Sequence, residues 1–287
     1  MITIRNPLEW SADQFKHAAE AVESVGRAGR HTRERWGSPA PAVRRIRTAD
    51  IKPVLGKGIE DFAACRSDVV FLCVIYPVLG LLLARFAFGQ RLLPLLFPLA
   101  SGFALVGPFA AVGLYEMSRR RERGGAIGWA DAFGVIRSPA IGAILLLGLV
   151  LMAIFLAWLG AAWAIYALTL GPAPPSTIAD FARDVFTTGR GWILIGVGIG
   201  VGVLFALLVL AISVVSFPLL LDRETGLDTA VRTSFRVVAA NPAPMAAWGF
   251  VVAAGLVVGT IPLFVGLIVV LPVLGHATWH LYRAVVA

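Results

Sequence analysis

Residues 241–282 read NPAPMAAWGFVVAAGLVVGTIPLFVGLIVVLPVLGHATWHLY, 42 positions without one Asp, Glu, Lys or Arg. A helix needs about 20 apolar residues to cross a hydrocarbon core, so this stretch suffices for two crossings. Thr260, Ile261 and Pro262 mark the turn between them, because Pro262 has no N–H to continue a helical ladder.

Four more charge-poor stretches precede it, at 69–84, 92–115, 138–179 and 191–221. The first, second and fourth each hold one helix. The third holds one long helix and leaves it at Gly171-Pro172-Ala173-Pro174-Pro175, through which no helix continues. The expected fold is an all-α polytopic membrane protein with six transmembrane helices. Composition agrees: 58% of the 287 residues are hydrophobic and 15% are charged, against about 25% charged in soluble domains. Residues 1–20 carry charges throughout and no apolar core segment, so no cleaved signal is expected and the first span directs insertion.

The net charge of +8 sets topology here and does not point to nucleic acid. With six spans, one side of the membrane carries 21 of the 25 basic residues; the other keeps Arg85, Arg91, Arg183 and Arg190. Long tails count weakly. Restricting the N-terminal region to Lys52, Lys57 and Arg66 leaves 12 against 4, in the same direction. Both termini are therefore expected in the cytoplasm.

Pairing the spans exposes a repeat. Gly58-Ile59-Glu60-Asp61-Phe62, Gly128-Trp129-Ala130-Asp131-Ala132-Phe133 and Gly226-Leu227-Asp228-Thr229-Ala230-Val231 stand ahead of spans one, three and five. Each reads as a short amphipathic helix at the membrane interface. In the third, Leu227, Val231, Phe235 and Val238 form one stripe and Asp228, Arg232 and Arg236 the opposite one, with Thr225 and Asp228 as a capping box. The matching stripe in the first is Ile51, Leu55, Ile59 and Phe62. Exit ends repeat too: Glu116 and Arg119 follow Pro108 at the spacing with which His280 and Arg283 follow Pro272. The expectation is three hairpins over 50–120, 121–223 and 224–287, each preceded by an amphipathic helix, in a six-span domain at 49–287. Residues 1–48 are expected to form a helix around Phe15, Ala18, Ala19, Val22 and Val25, then a flexible basic linker near lipid headgroups.

Several strings resemble a known family. They are Ser216-Phe217-Pro218-Leu219-Leu220-Leu221-Asp222-Arg223, Asn241-Pro242, residues 272–283, and 107–109 with 115–120. Together they resemble the bacterial integral membrane proteins grouped as domain of unknown function 2189, over roughly residues 50–287. The resemblance implies a six-span fold and a bacterial inner-membrane location, and it implies no activity, substrate or cofactor.

Candidate sites are few. His276 and His280 stand at i, i+4 near the end of span six, which is metal-ligand spacing. No further His, Cys or Met cluster accompanies them, so no metal is assigned. The competing reading has both rings bonded to carbonyls, headgroups or a carboxylate such as Glu116, with Trp279 and Tyr282 anchored beside them at the interface. Glu116, Asp222, Arg223 and His280 lie at span ends, and three related units would bring them with His276 to one cytoplasmic mouth, as a lock of salt bridges or as a ligand site. Gly196, Gly198, Gly200 and Gly202 give overlapping small-xxx-small pairs for helix packing, inside the chain or between copies. Cys65 and Cys73 are ordinary small apolar residues. No nucleotide loop, nucleophile elbow or metalloprotease motif occurs, so no catalytic residue is assigned. The leading expectation is a non-enzymatic protein acting through contacts, an accessory or assembly partner in a membrane complex, or a homo-oligomer. The alternative is a small transporter or channel for an unknown solute.

Overall fold

The computed structural model describes residues 40–73, 78, 81–82, 85, 93–125, 128–175, 177–223 and 225–287. The expected N-terminal helix and half of the first expected span, 69–84, lie outside the described residues. Ten α-helices follow one another among those described: α1 (Ile51–Cys73), α2 (Leu96–Ala110), α3 (Val112–Glu122), α4 (Ile141–Thr169), α5 (Ile178–Thr187), α6 (Gly189–Ser213), α7 (Ser216–Asp222), α8 (Leu227–Ala240), α9 (Pro242–Thr260) and α10 (Leu267–Val285). Among the described residues three runs are long and apolar enough to cross a membrane: α4, the α6–α7 run Gly189–Asp222, and α9. Their apolar side chains point outward. Leu168, Leu204 and Phe250 stand largely exposed, and the α6–α7 run is the barest of the three. Lipid is the solvent that such a surface requires.

Local sequence explains where the helices stop. Gly171, in the left-handed region at φ 98°, takes the chain out of α4; a side chain would be strained there. Thr177 and Thr188 cap α5 and α6 by accepting from the amides of Asp180 and Gly191, both at 3.0 Å. The fourth apolar stretch is not one straight helix. It breaks at Val214 and Val215, and Val214 is the residue whose carbonyl Pro218 cannot satisfy and whose oxygen its ring would strike. The second stretch breaks at Ala111, three residues after Pro108, which lies inside α2. Asn241 joins α8 to α9, with Pro242 in the first turn of α9, where a missing N–H costs nothing. α9 ends at Thr260, as the Thr260-Ile261-Pro262 signal suggests, and α10 returns against it, Gly259 lying beneath Leu267.

The buried core sits toward the end of the bundle where α3, α7 and α10 meet. Val215, Phe217, Leu219, Leu220, Ala230, Trp279 and Tyr282 are sealed there. Two amphipathic faces differ from expectation. In α1 the buried positions are Ile51, Val54, Gly58, Asp61 and Cys65, while Ile59 is 54% exposed. In α8 the small face Thr229, Ala230, Thr233, Ser234 and Val237 is buried, and Phe235 of the expected stripe is 45% exposed. Small side chains win these contacts because they let helix backbones close together. Nor does the Thr225–Asp228 capping box form: the N-cap of α8 is Gly226, without a side-chain cap.

The last residues of the expected flexible linker are held in place. Val43 and Val286 form an antiparallel bridge, Arg44 N–H donates to the Val285 carbonyl at 2.8 Å, and Ala287 N–H donates to the Ala42 carbonyl at 2.9 Å. Asn241 completes the clamp. Its Oδ1 accepts from Ile46 N–H at 2.8 Å and its Nδ2 donates to the Arg44 and Val237 carbonyls, both at 3.1 Å.

Candidate functional site: a polar layer around α3 and α10

A close helix crossing sets the site. Gly58 of α1 lies so near α10 that a methyl group there would stand 2.6 Å from Ala277 Cβ and 2.8 Å from the Val273 carbonyl oxygen. One turn further along the same face, Asp61 is carried into the interface, only 6% exposed. A carboxylate at such a position must be paired or neutralised, and four groups meet it. Ser118 Oγ donates to its Oδ2 at 2.6 Å, His280 Nε2 contacts the same oxygen at 2.8 Å, and Arg121 Nη1 lies 3.3 Å from Oδ1. The fourth is indirect: His276 Nδ1 stands 2.8 Å from Ser118 Oγ. Burial pushes the Asp61 carboxyl up, but the hydrogen bonds from His280 and Ser118 outweigh it, with the nearby imidazoles assisting, and hold it below the ordinary 3.8.

These bonds fix proton positions. Ionised Asp61 can only accept, and Ser118 has one hydrogen. Ser118 spends that hydrogen on Asp61, so its oxygen accepts from Nδ1–H of His276. Nε2 of His276 is then the bare nitrogen; it is fully buried and meets no hydrogen-bond partner among the described residues. A nucleophilic serine needs the reverse order, with the histidine taking the serine proton and the carboxylate orienting the histidine. Here the carboxylate holds the serine, so the four groups brace α1, α3 and α10 and do not activate an oxygen. Among the described residues no three His, Cys, Asp or Glu side chains converge to share a metal ion.

Two further knots complete the layer. Glu116, 3% exposed, lies 2.7 Å from both Arg119 Nη2 and Arg120 Nε, and Arg120 reaches on to Asp131 ahead of α4. Arg119 also donates to the Leu221 carbonyl at the end of α7, at 2.8 Å. On the other side, Asp222 accepts from the Tyr282 hydroxyl at 2.8 Å and faces Arg283 at 3.5 Å and Arg123 at 3.4 Å. Glu122 accepts from Trp279 Nε1 at 3.1 Å and from Arg283 Nε at 3.0 Å.

The sequence-level candidates are thus distributed over three separate knots. His276 and His280 share the Asp61 knot; their carboxylate is Asp61 and not Glu116. Glu116 and Asp222 each anchor another. Arg223 stands beside Tyr282 of the Asp222 knot and donates to the Ala287 carbonyl at 2.6 Å. Trp279 and Tyr282 are buried and bonded to carboxylates, not standing as interfacial anchors. Sequence reasoning missed Asp61, Ser118, Arg121 and Glu122. One signal was available: Ile51, Val54, Gly58, Asp61 and Cys65 recur at intervals of three and four, which puts Asp61 on a helix face of small and apolar residues.

The glycine row behaves differently. Only Gly202 packs within the described chain, its missing Cβ 3.2 Å from the Trp158 ring, and Trp158 Nε1 donates to Ser101 Oγ at 2.9 Å. At Gly196, Gly198 and Gly200 a methyl would meet nothing within 4 Å among the described residues. Packing inside the described chain does not account for these three.

No curated protein and no solved structure matches the chain. The family resemblance, read over roughly residues 50–287, is matched over a shorter stretch, from the start of α2 to the end of α7. Residues 96–222 match the model of the family described as predicted integral membrane protein, domain of unknown function 2189.

Proposed function

We propose that this integral membrane protein works by contact, as an accessory or assembly partner within a complex of the bacterial inner membrane. The observation that carries this reading is the closed polar layer. Asp61, Glu116, Glu122, Asp131 and Asp222 are all spent on bonds to the chain's own side chains. A carrier of ions or protons is expected to keep a charged group or a histidine within its spans; positions 141–169, 191–221 and 242–260 contain no Asp, Glu, Lys, Arg or His. A lock of this kind serves to hold helices in register, and the outward surface left over is apolar, with uncovered glycines on α6. Six spans as three related hairpins, with both termini cytoplasmic, fit this reading and the charge distribution.

The test is purification of the full chain in mild detergent, with Gly196, Gly198 and Gly200 each changed to Leu in separate variants. The reading expects one defined protein, a partner or a second copy, to travel with the wild type in fixed ratio. At least one Leu variant should lose it while remaining monodisperse. A chain that purifies alone and conducts solute flux in liposomes would replace this reading with the transporter.

A further inference from the structure

Three arginines stand on the fixed segment described above. Along residues 43–47, Val43 and Ile46 turn partly inward while Arg44, Arg45 and Arg47 are exposed. Pairing with Val285 and Ala287 holds one side of the segment, and Asn241 holds the other. Asn241 immediately precedes Pro242, the first residue of the apolar helix α9. The guanidinium-bearing segment is therefore fastened to the foot of a membrane-crossing helix, at the depth where that helix leaves the hydrocarbon for the headgroups. α8 ends at the same joint with Arg232, Phe235 and Arg236 on one exposed face. Among the described residues no carboxylate lies within 4 Å of Arg44, Arg45 or Arg236, and Arg47 has only a 3.9 Å approach to Asp50, itself bonded to the Arg47 amide. In the polar layer Arg119, Arg120, Arg121, Arg123 and Arg283 each face a carboxylate, whereas Arg44, Arg45 and Arg236 meet none among the described residues.

We propose that Arg44, Arg45 and Arg47, with Arg236 and Phe235, form a binding site for the phosphate headgroups of anionic phospholipids at the foot of α9. Guanidinium groups form paired hydrogen bonds to phosphate oxygens. A basic segment beside a span gains from the negative surface potential of anionic lipid. Phe235, between two arginines on its helix face, supplies the apolar contact for the adjoining acyl chain. Pinning matters to the energetics, because a preorganised segment loses little conformational freedom on binding. The site is distinct from the contact surface on α6, and each fails or stands by its own test.

The full chain is reconstituted in nanodiscs of phosphatidylcholine with a minor fraction of phosphatidylglycerol, and retained lipid is counted by native mass spectrometry after extraction. Wild type is expected to retain phosphatidylglycerol in preference to phosphatidylcholine, with the preference falling as salt rises. Changing Arg44, Arg45 and Arg47 together to Gln should cut the preference by roughly a hundredfold, at about fivefold per arginine. The same three changed to Lys should keep most of it, which separates loss of charge from misfolding. Arg183→Gln with Arg190→Gln should leave it intact. Retention unchanged in the triple Gln variant would overturn the proposal. So would equal loss in the Arg183/Arg190 variant, or displacement of the lipid by soluble glycerol phosphate, which would mark a free-phosphate site. Absence of any anionic preference in wild type would also overturn it, in favour of an acidic protein surface as occupant.

Discussion

Gly58→Ala puts one methyl group into the α1–α10 crossing. The added carbon would stand 2.6 Å from Ala277 Cβ, 2.7 Å from the Ala277 nitrogen and 2.8 Å from the Val273 oxygen. Carbon atoms rest at about 3.5–4.0 Å, and two of these neighbours are α10 backbone, which cannot swing aside. The helices must part by about 1 Å. Overpacking of this kind costs about 1–3 kcal/mol, and the parting also lengthens the 2.8 Å His280–Asp61 contact one turn away. Alanine favours the helix over glycine by about 1 kcal/mol, which would mask part of the loss. Gly56→Ala removes that ambiguity, since a methyl there meets nothing within 4 Å among the described residues and gains the same propensity. The difference between the two variants isolates the clash. Thermal unfolding in detergent should place Gly58→Ala below Gly56→Ala by roughly 2–10 °C, with Ala277→Gly restoring part of it. Equal melting temperatures would show that α1 and α10 do not pack at Gly58 as described.

Three other outcomes follow from the bonding pattern. The Asp61 carboxyl is held below 3.8 in the folded chain, so its stabilisation is present above that value and is lost as pH falls through the lowered one; acid unfolding of Asp61→Asn should lack this component. Asn241→Ala removes three hydrogen bonds, leaving the part-buried Ile46 N–H and Arg44 carbonyl without their Asn241 partner, costing about 2–4 kcal/mol and freeing residues 42–47 to proteolysis; a variant as resistant as wild type would contradict the clamp. Changing His276 and His280 together to Gln should leave the fold nearly intact, because glutamine keeps a donor and an acceptor. Elemental analysis of wild type should find no stoichiometric metal, and one equivalent of zinc, copper or iron lost in that variant would make the pair ligands.

How much of this was legible depends on the range of the interaction. Long apolar runs declare themselves, so α4 and α9 fall inside the stretches read from charge alone, and the α6–α7 run overruns its stretch, 191–221, by only two residues at the start and one at the end. The exits at Gly171 and Thr260 follow from local backbone chemistry. The α1 face was misread because two stripes compete in its sequence. Ile51, Leu55, Ile59 and Phe62 look more hydrophobic, but Val54, Gly58, Asp61 and Cys65 offer a thinner, closer surface, and closeness decided the contact. The site was harder to see. His280 finds Asp61 across 219 positions, and no local pattern encodes which carboxylate meets which imidazole. The sequence points to one mouth shared by Glu116, Asp222, Arg223, His276 and His280; in the structure they are distributed over separate knots, and the bonds also run through Ser118, Arg121 and Glu122, whose roles exist only once the helices are packed.

Single-cysteine accessibility tests most directly the claim that this polar layer and both chain ends share the cytoplasmic side. With Cys65 and Cys73 changed to Ala, cysteines replace Lys57, Asp180 or Arg236 one at a time, and intact cells meet an impermeant maleimide. The predicted result is labelling at 180 in intact cells, and at 57 and 236 only after permeabilisation. Labelling of 57 or 236 in intact cells, or protection of 180, would contradict it.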